Sequence, residues 1–320
     1  MSFSVKRLTK NGLSLVGLQD TATNTIITIL PGYGASLYGF EFPVQNEHIN
    51  IIDNYTNQQE IDQSLHIFYK SSKLSPFVCR LRNGKYSIDG QEYELPDKFS
   101  DGNAIHGLLY NRPFKIVDEF ADDNMAMVSM RYHFKKENPG YPFDYVCEVR
   151  YTLLPRQILQ VETTLLNLDN RPIPIADGWH PYFQLGGAIN DYELQFSSDN
   201  MVEFDAHLIP TGNMVHNDAF AHPAVIGDRE LDNCFELYLM ADRPCCVLFN
   251  PHNRVWLSIF TNNRYPYLQV YTPSHRKSIA IENLSAAPDC FNNGMGLLML
   301  APSRSQTFTV WYQAGVAEND

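Results

Sequence analysis

Residues 145–168 read YVCEVRYTLLPRQILQVETTLLNL. In YVCEVRYTLL (145–154) and ILQVETTLLNL (158–168) apolar and polar side chains alternate, the period of a strand with one buried face. The residue types, rich in Val, Tyr and Thr, are those that pack well on a pleated surface. The same alternation recurs in MAMVSMRYHF (125–134), RVWLSIFT (254–261), YLQVYTP (267–273) and QTFTVWYQ (306–313). Turn signals separate such runs: NG at 83–84, DG at 89–90 and 101–102, NPG at 138–140, DN at 169–170, TGN at 211–213 and NNR at 262–264. KYSIDGQEYEL predicts a hairpin with Asp89-Gly90 in its turn. Helical periodicity is confined to a turn or two around Asn57 to Leu65. Strands at short intervals with turn residues between them predict an all-β chain, a large antiparallel sandwich or barrel. With no linker, low-complexity tract or charge block to divide it, 1–320 is expected to form a single domain.

The 320 residues are 44% hydrophobic and 19% charged, enough to bury a large core and unlike a disordered chain. A net charge of −12, with Lys and Arg scattered, opposes binding to nucleic acid and to anionic membranes. No apolar run approaches the ~20 residues that span a bilayer. The start is a poor signal peptide, so a cytoplasmic location is expected. Cys79, Cys147, Cys234, Cys245, Cys246 and Cys290 form no CxxC and have irregular spacings. Neither disulfides nor a zinc site is predicted, and buried free thiols are the simpler reading. The Asn54 and Asn283 sequons would matter only in a secreted chain.

Several nucleotide, hydrolase and metal motifs are missing. PGYGASLYGF (31–40) supplies Gly32-x-Gly34, but position 37 is Leu and no helix follows, which excludes a Rossmann loop. GxSxG, HExxH and GxxxxGK[ST] do not occur, and the ten histidines do not pair at metal spacing. Asp232 and Glu236 are four apart, but ELDNCFELYL reads as strand, where that spacing makes no metal pair.

Three segments carry candidate chemistry. FSDGNAIHGLLYNRPF (99–114) sets His106 beside Gly107, where a backbone can approach a ligand closely. DGWHPYFQLGG (177–187) surrounds His180 with aromatic residues, and Pro181 biases it toward an extended conformation. Aromatic faces beside a few polar groups suit the apolar face and hydroxyl rim of a sugar. In IAIENLSAAPDCFNNG (279–294), Glu282 ends an apolar strand, and lost solvation there raises a carboxylate toward a general base. Each has a structural alternative. His180 suits a core histidine, His106 a loop residue, Glu282 a turn cap or arginine partner, and Asp232 an exposed turn acid. Arg80 and Arg82 alternate in CRLRNGKY, so one of them faces inward and needs a partner.

Taken in order, these segments resemble the aldose 1-epimerase (galactose mutarotase) family. PGYGASLYGF resembles its early glycine-containing strand, RLRNGKYSIDGQEYEL its arginine segment with the following hairpin, and GNAIHG its Asn-x-Leu-His-Gly. NPGYPFDYVCEVRYTL resembles its Gly-Tyr-Pro strand pair, DGWHPYFQL its His-Pro-Tyr-Phe-Asn-Leu, and IPTG (209–212) its Val-Pro-Thr-Gly. ELDNCFEL resembles Leu-Asp-x-x-Phe, LQVYTP its Gln-x-Tyr-Thr strand, and IAIENLSAAPDCFN its catalytic-glutamate segment. The resemblance implies a large β-sandwich with an open cleft and interconversion of the α and β anomers of a free aldose without cofactor or metal. It implies Glu282 as general base, His180 as general acid, His106 as a polarising partner near the ring oxygen, and Arg80, Asp232 and Gln269 as hydroxyl ligands. The expected partner is a monosaccharide, and the expected state a monomer or homodimer.

Two positions depart from the family pattern. Cys79 stands where an asparagine often precedes the arginine, and Leu108, Leu109 and Tyr110 follow Gly107 where a second glycine is common. Both bear on the substrate more than on the reaction. Alternatives are a hexose-phosphate mutarotase, a non-catalytic carbohydrate-binding protein, and a lyase or hydrolase sandwich. Retention of both Glu282 and His180 argues against mere binding. A two-carboxylate hydrolase would need Asp232 opposite Glu282.

Overall fold

The structure, a computed structural model, describes residues 1–318. Two large sheets dominate, and every pairing between strands in them is antiparallel. The larger has nine strands, in the order Lys115–Ala121, Ala126–Lys135, Asp144–Leu154, Ile158–Asn167, Ser305–Val316, Val255–Thr261, Cys246–Asn250, Glu193–Phe196 and Ala224–Val225. The alternation read from 145–168 becomes two of its central strands. In Ile158–Asn167 every second residue, from Leu159 to Asn167, is buried.

The second sheet has eight strands and carries the site. Its order is Pro210–His216, Asn200–Phe204, Asp232–Glu236, Tyr267–Tyr271, Ile279–Leu284, Gly178–His180 and Ser72–Leu74, with Tyr182–Phe183 also pairing Ile279–Leu284. The two sheets pack face to face. Phe183 meets Tyr312 at 5.6 Å and Trp179 meets Tyr151 at 6.1 Å between ring centroids. A five-stranded meander, Phe3–Lys10 to Glu47–Asn50, joins the same apolar cluster, which runs from Phe3 to Ala314. Of the sandwich or barrel that the alternation predicts, the structure is the sandwich that the family resemblance implies.

Local predictions fared unevenly. Lys85–Ile88 pairs with Gln91–Glu94 around Asp89-Gly90, as the hairpin reading requires. The helix is longer than a turn or two, covering Gln58–Phe68. A reciprocal cap starts it: Asn57 accepts from the Glu60 amide, and Glu60 accepts from the amide and hydroxyl of Thr56. Ile61 and Leu65 anchor it, and Tyr69 ends it in the left-handed region. TGN at 211–213 is not a turn but lies inside the edge strand Pro210–His216, where glycine and polar residues face solvent. All six cysteines are free and buried. Among the described residues no helix is long and apolar enough to cross a membrane.

Candidate active site

Strand register assembles the centre of the site. Gly178 lies opposite Leu284 and Tyr182 opposite Ala280, so His180 falls at the level of Glu282. On the other side Glu282 pairs with Gln269, and Gln269 with Cys234. A row of side chains therefore crosses four neighbouring strands on one face: Cys234, Gln269, Glu282, His180. His180 Nε2 is 3.3 Å from Glu282 Oε1, and both side chains are almost fully buried. Glu282 does not end its strand as the sequence suggested. It sits inside Ile279–Leu284, whose six residues are all buried. One face of that strand packs into the sandwich, and the other forms the cleft floor.

Asp232, half-buried rather than an exposed turn acid, accepts a 2.7 Å hydrogen bond from Gln269 Nε2. Gln269 Oε1 is left without a partner. The remaining predicted residues come from loops. Arg80 begins a two-residue strand paired with Ala104–Ile105, outside the large sheets. Its Nε donates to Asp101 at 2.8 Å, and Arg82 pairs with Asp205, so neither arginine is buried alone. His106 has φ +59°, and its amide donates to the Cys79 carbonyl at 2.9 Å. Gly107 follows at φ +74°, and a Cβ there would lie 2.4 Å from the Ser75 oxygen. That close approach explains the glycine and pins His106 over the cleft. The His106 and His180 rings meet edge to face at 4.9 Å.

Arg80, His106, His180, Asp232, Gln269 and Glu282 thus line one cavity of about 290 Å³. Tyr182 stacks on His180 at 5.0 Å, and Tyr69 lies 4.6 Å from His106. Tyr69, Phe99, Phe204 and Tyr271 add aromatic wall. Sequence reading missed these four: nothing local marks Tyr69 at a helix end or Phe99 in a loop as facing a distant strand, and Phe204 and Tyr271 lie at strand ends whose neighbours only the sheet order reveals. A second cavity of about 580 Å³ adjoins, sharing Ile67, Tyr69, Phe99 and Ile105.

Burial sets the protonation states. It pushes Glu282 well above the ordinary carboxylate range, reinforced by Asp232 and opposed by Arg80. It pushes His180 down to about 4. His106 is driven well below 6.5 by burial, then by His180 and Arg80. Burial also raises Asp232, against Arg80 and Gln269. Burial therefore favours one proton on the pair, as the carboxylic acid of Glu282 beside the neutral imidazole of His180. A carboxyl and an imidazole in that state can take a proton at one substrate oxygen and deliver one at another. The fold also gathers a trio that spacing did not foretell: Cys79, His106 and Glu282 each bring a ligand atom within 4.8 Å of the others.

Comparison with known proteins bears on the fold and the family. The chain matches the family described as Aldose 1-epimerase over residues 18–313. It is 29% identical to the Escherichia coli K12 protein YihR over 235 residues, 71% of this chain and 73% of that one. It is 22% identical to the aldose 1-epimerase of Streptococcus thermophilus, covering 97% of this chain and 96% of the relative. A galactose mutarotase-like protein from Clostridium acetobutylicum superposes with a TM-score of 0.87 over 99% of both chains, at 17% identity. The last likeness establishes a galactose mutarotase-like fold, and the match over 18–313 goes further: the chain belongs to the aldose 1-epimerase family.

Proposed function

We propose that this protein interconverts the α and β anomers of a free aldose. The observation that carries the reading is the 3.3 Å contact between His180 Nε2 and Glu282 Oε1 on the floor of a cleft sized for one sugar ring. With the shared proton on His180, the Glu282 carboxylate takes the proton of the C1 hydroxyl. The O1 electron pair becomes the C1 carbonyl, the bond from C1 to the ring oxygen breaks, and His180 protonates that oxygen. Rotation about C1–C2 presents the other carbonyl face. Ring closure then returns the proton from Glu282 to O1 and that of the new hydroxyl to His180. Every proton is restored, so the chemistry calls for no redox partner.

Neutral His106 hydrogen-bonds the sugar near its ring oxygen. Asp232, Gln269 and Arg80 hold hydroxyls, and Tyr182 and Tyr69 present ring faces to the apolar side of the sugar. Arg80 is already engaged by Asp101, and Asp232 and Glu282 share the cavity with it, which favours a neutral sugar over a phosphorylated one. The test is polarimetry of freshly dissolved α-D-glucose and α-D-galactose, extended by NMR anomer exchange to other aldoses. The expected result is faster decay to the same final rotation, with Glu282→Gln lowering kcat by roughly 10²–10⁴-fold. A Glu282→Gln protein working at full rate would remove Glu282 as the base. Sugar binding with no acceleration for any aldose would leave a binding protein.

A further inference from the structure

We propose that Cys79, His106 and Glu282 form a binding site for a thiophilic divalent cation of the zinc and cadmium class, and that the bound cation excludes the sugar. The three residues are far apart in sequence, yet each offers a ligand atom within 4.8 Å of the other two. Thiolate, imidazole and carboxylate form a donor set suited to zinc, and three protein ligands leave a fourth position for water. The site is built rather than accidental. All three side chains are buried, and His106 Nδ1 and Glu282 Oε2 have no hydrogen-bond partner.

Cys79 and His106 are braced against each other by the 2.9 Å hydrogen bond from the His106 amide to the Cys79 carbonyl. Both hold left-handed backbones, φ +47° and +59°, that fix where their side chains leave the chain. Charge favours a cation as well. Asp232 stands on the same cavity, and the opposing guanidinium of Arg80 is drawn to Asp101. The His180 contact uses Glu282 Oε1, which leaves the other oxygen free to ligate. On binding, the thiol S–H and the Glu282 carboxyl O–H bonds break, sulfur–metal and oxygen–metal bonds form, and both protons pass to solvent. Exclusion of the sugar rests on the epimerase reading, because it assumes the aldose needs Glu282. The metal site itself does not.

The experiment titrates the intact protein with Cd²⁺ alone, following the thiolate-to-cadmium charge-transfer absorbance in the ultraviolet, and with Zn²⁺ alone by calorimetry. No substrate turnover is needed, so its result is separate from the test of epimerisation. One equivalent should bind with the thiolate band. Cys79→Ser should abolish the band and weaken Zn²⁺ by at least about 10-fold, the scale seen even for partners behind the ligands. Glu282→Gln should weaken it comparably, and serves if Cys79→Ser does not fold by circular dichroism. Cys147→Ser, a buried thiol of the nine-stranded sheet, should leave binding unchanged. Absence of the band, or its survival in Cys79→Ser, overturns the site. For an aldose that the protein turns over, Zn²⁺ should raise KM and EDTA should restore it. An unchanged KM at saturating Zn²⁺ overturns the exclusion.

Discussion

Glu282 and His180 are displaced from their ordinary proton affinities in opposite directions by one cause, removal from water. The direction of each shift fixes a pH profile. Burial favours the state in which the pair holds one proton, the number that the proposed ring opening requires. Below about 4, His180 keeps a proton even when Glu282 holds one, and no base remains. Above the raised value of Glu282 the pair loses its only proton, and no acid remains. The surrounding groups, Asp232, Arg80, His106, Cys79 and Tyr182, move the alkaline limb rather than create it. In metal-free buffer kcat should therefore fall as pH drops toward about 4. An acid limb centred on the ordinary histidine value of 6.5 would show that burial does not govern His180. The residue types were legible in the sequence, since DGWHPYFQL and IAIENL both set an ionisable group among apolar neighbours. Their mutual distance was not, because they are 102 positions apart in the chain and only register closes that gap.

At the scale of the strand, the same alternation that turns His180 into the cleft turns its neighbours into the sandwich. Asp177 and Trp179 point away from the cleft, where Lys73, opposite Trp179, meets them. Lys73 Nζ lies 2.5 Å from Asp177 Oδ2 and 4.2 Å from the Trp179 ring, with both charged side chains fully buried. Tyr265 donates a further 2.5 Å hydrogen bond to Asp177. Removing one partner leaves the other charge stranded. Lys73→Met should therefore cost about 3–5 kcal/mol, while Lys73→Met with Asp177→Asn should recover much of the loss. Urea denaturation of the two variants checks this, and equal midpoints would show that the pair is not coupled. The sequence offered no sign of this network, because a lysine in SSKLSP reads as solvated until the second sheet covers it. The Asp89-Gly90 hairpin was legible because its signal is wholly local. The full length of the Gln58–Phe68 helix was not, because its last turn contains the exposed Ile67 and Phe68 and loses the apolar period.

For the molecule as a whole, period-two alternation was enough to indicate sheets but not how many lie face to face. The nine-stranded sheet brings Ile158–Asn167 beside Ser305–Val316, a pairing no local pattern encodes. The cleft is likewise a long-range product: the eight-stranded sheet supplies its floor, and segments near Arg80 and His106 lean over it. Because Glu282 and His180 stand on interior strands of the sheet that packs against the main core, no small part of the molecule opens them alone. Activity and circular dichroism should be lost at the same urea concentration. Activity vanishing well before the fold would place the fragile point in the loops of Arg80 and His106.

The row of Cys234, Gln269, Glu282 and His180 across four neighbouring strands also shapes how this family member can diverge. A one-residue slip in any of those strands would turn its member of the row to the opposite face. Register therefore ties the four positions together: a slip in one strand removes its member from the cleft floor. Residues 99–103, 108–110 and 205–208, outside the paired strands, carry no such constraint. Changes in what the cleft accepts are free to accumulate there, while the floor beneath stays fixed by the spacing of the strands.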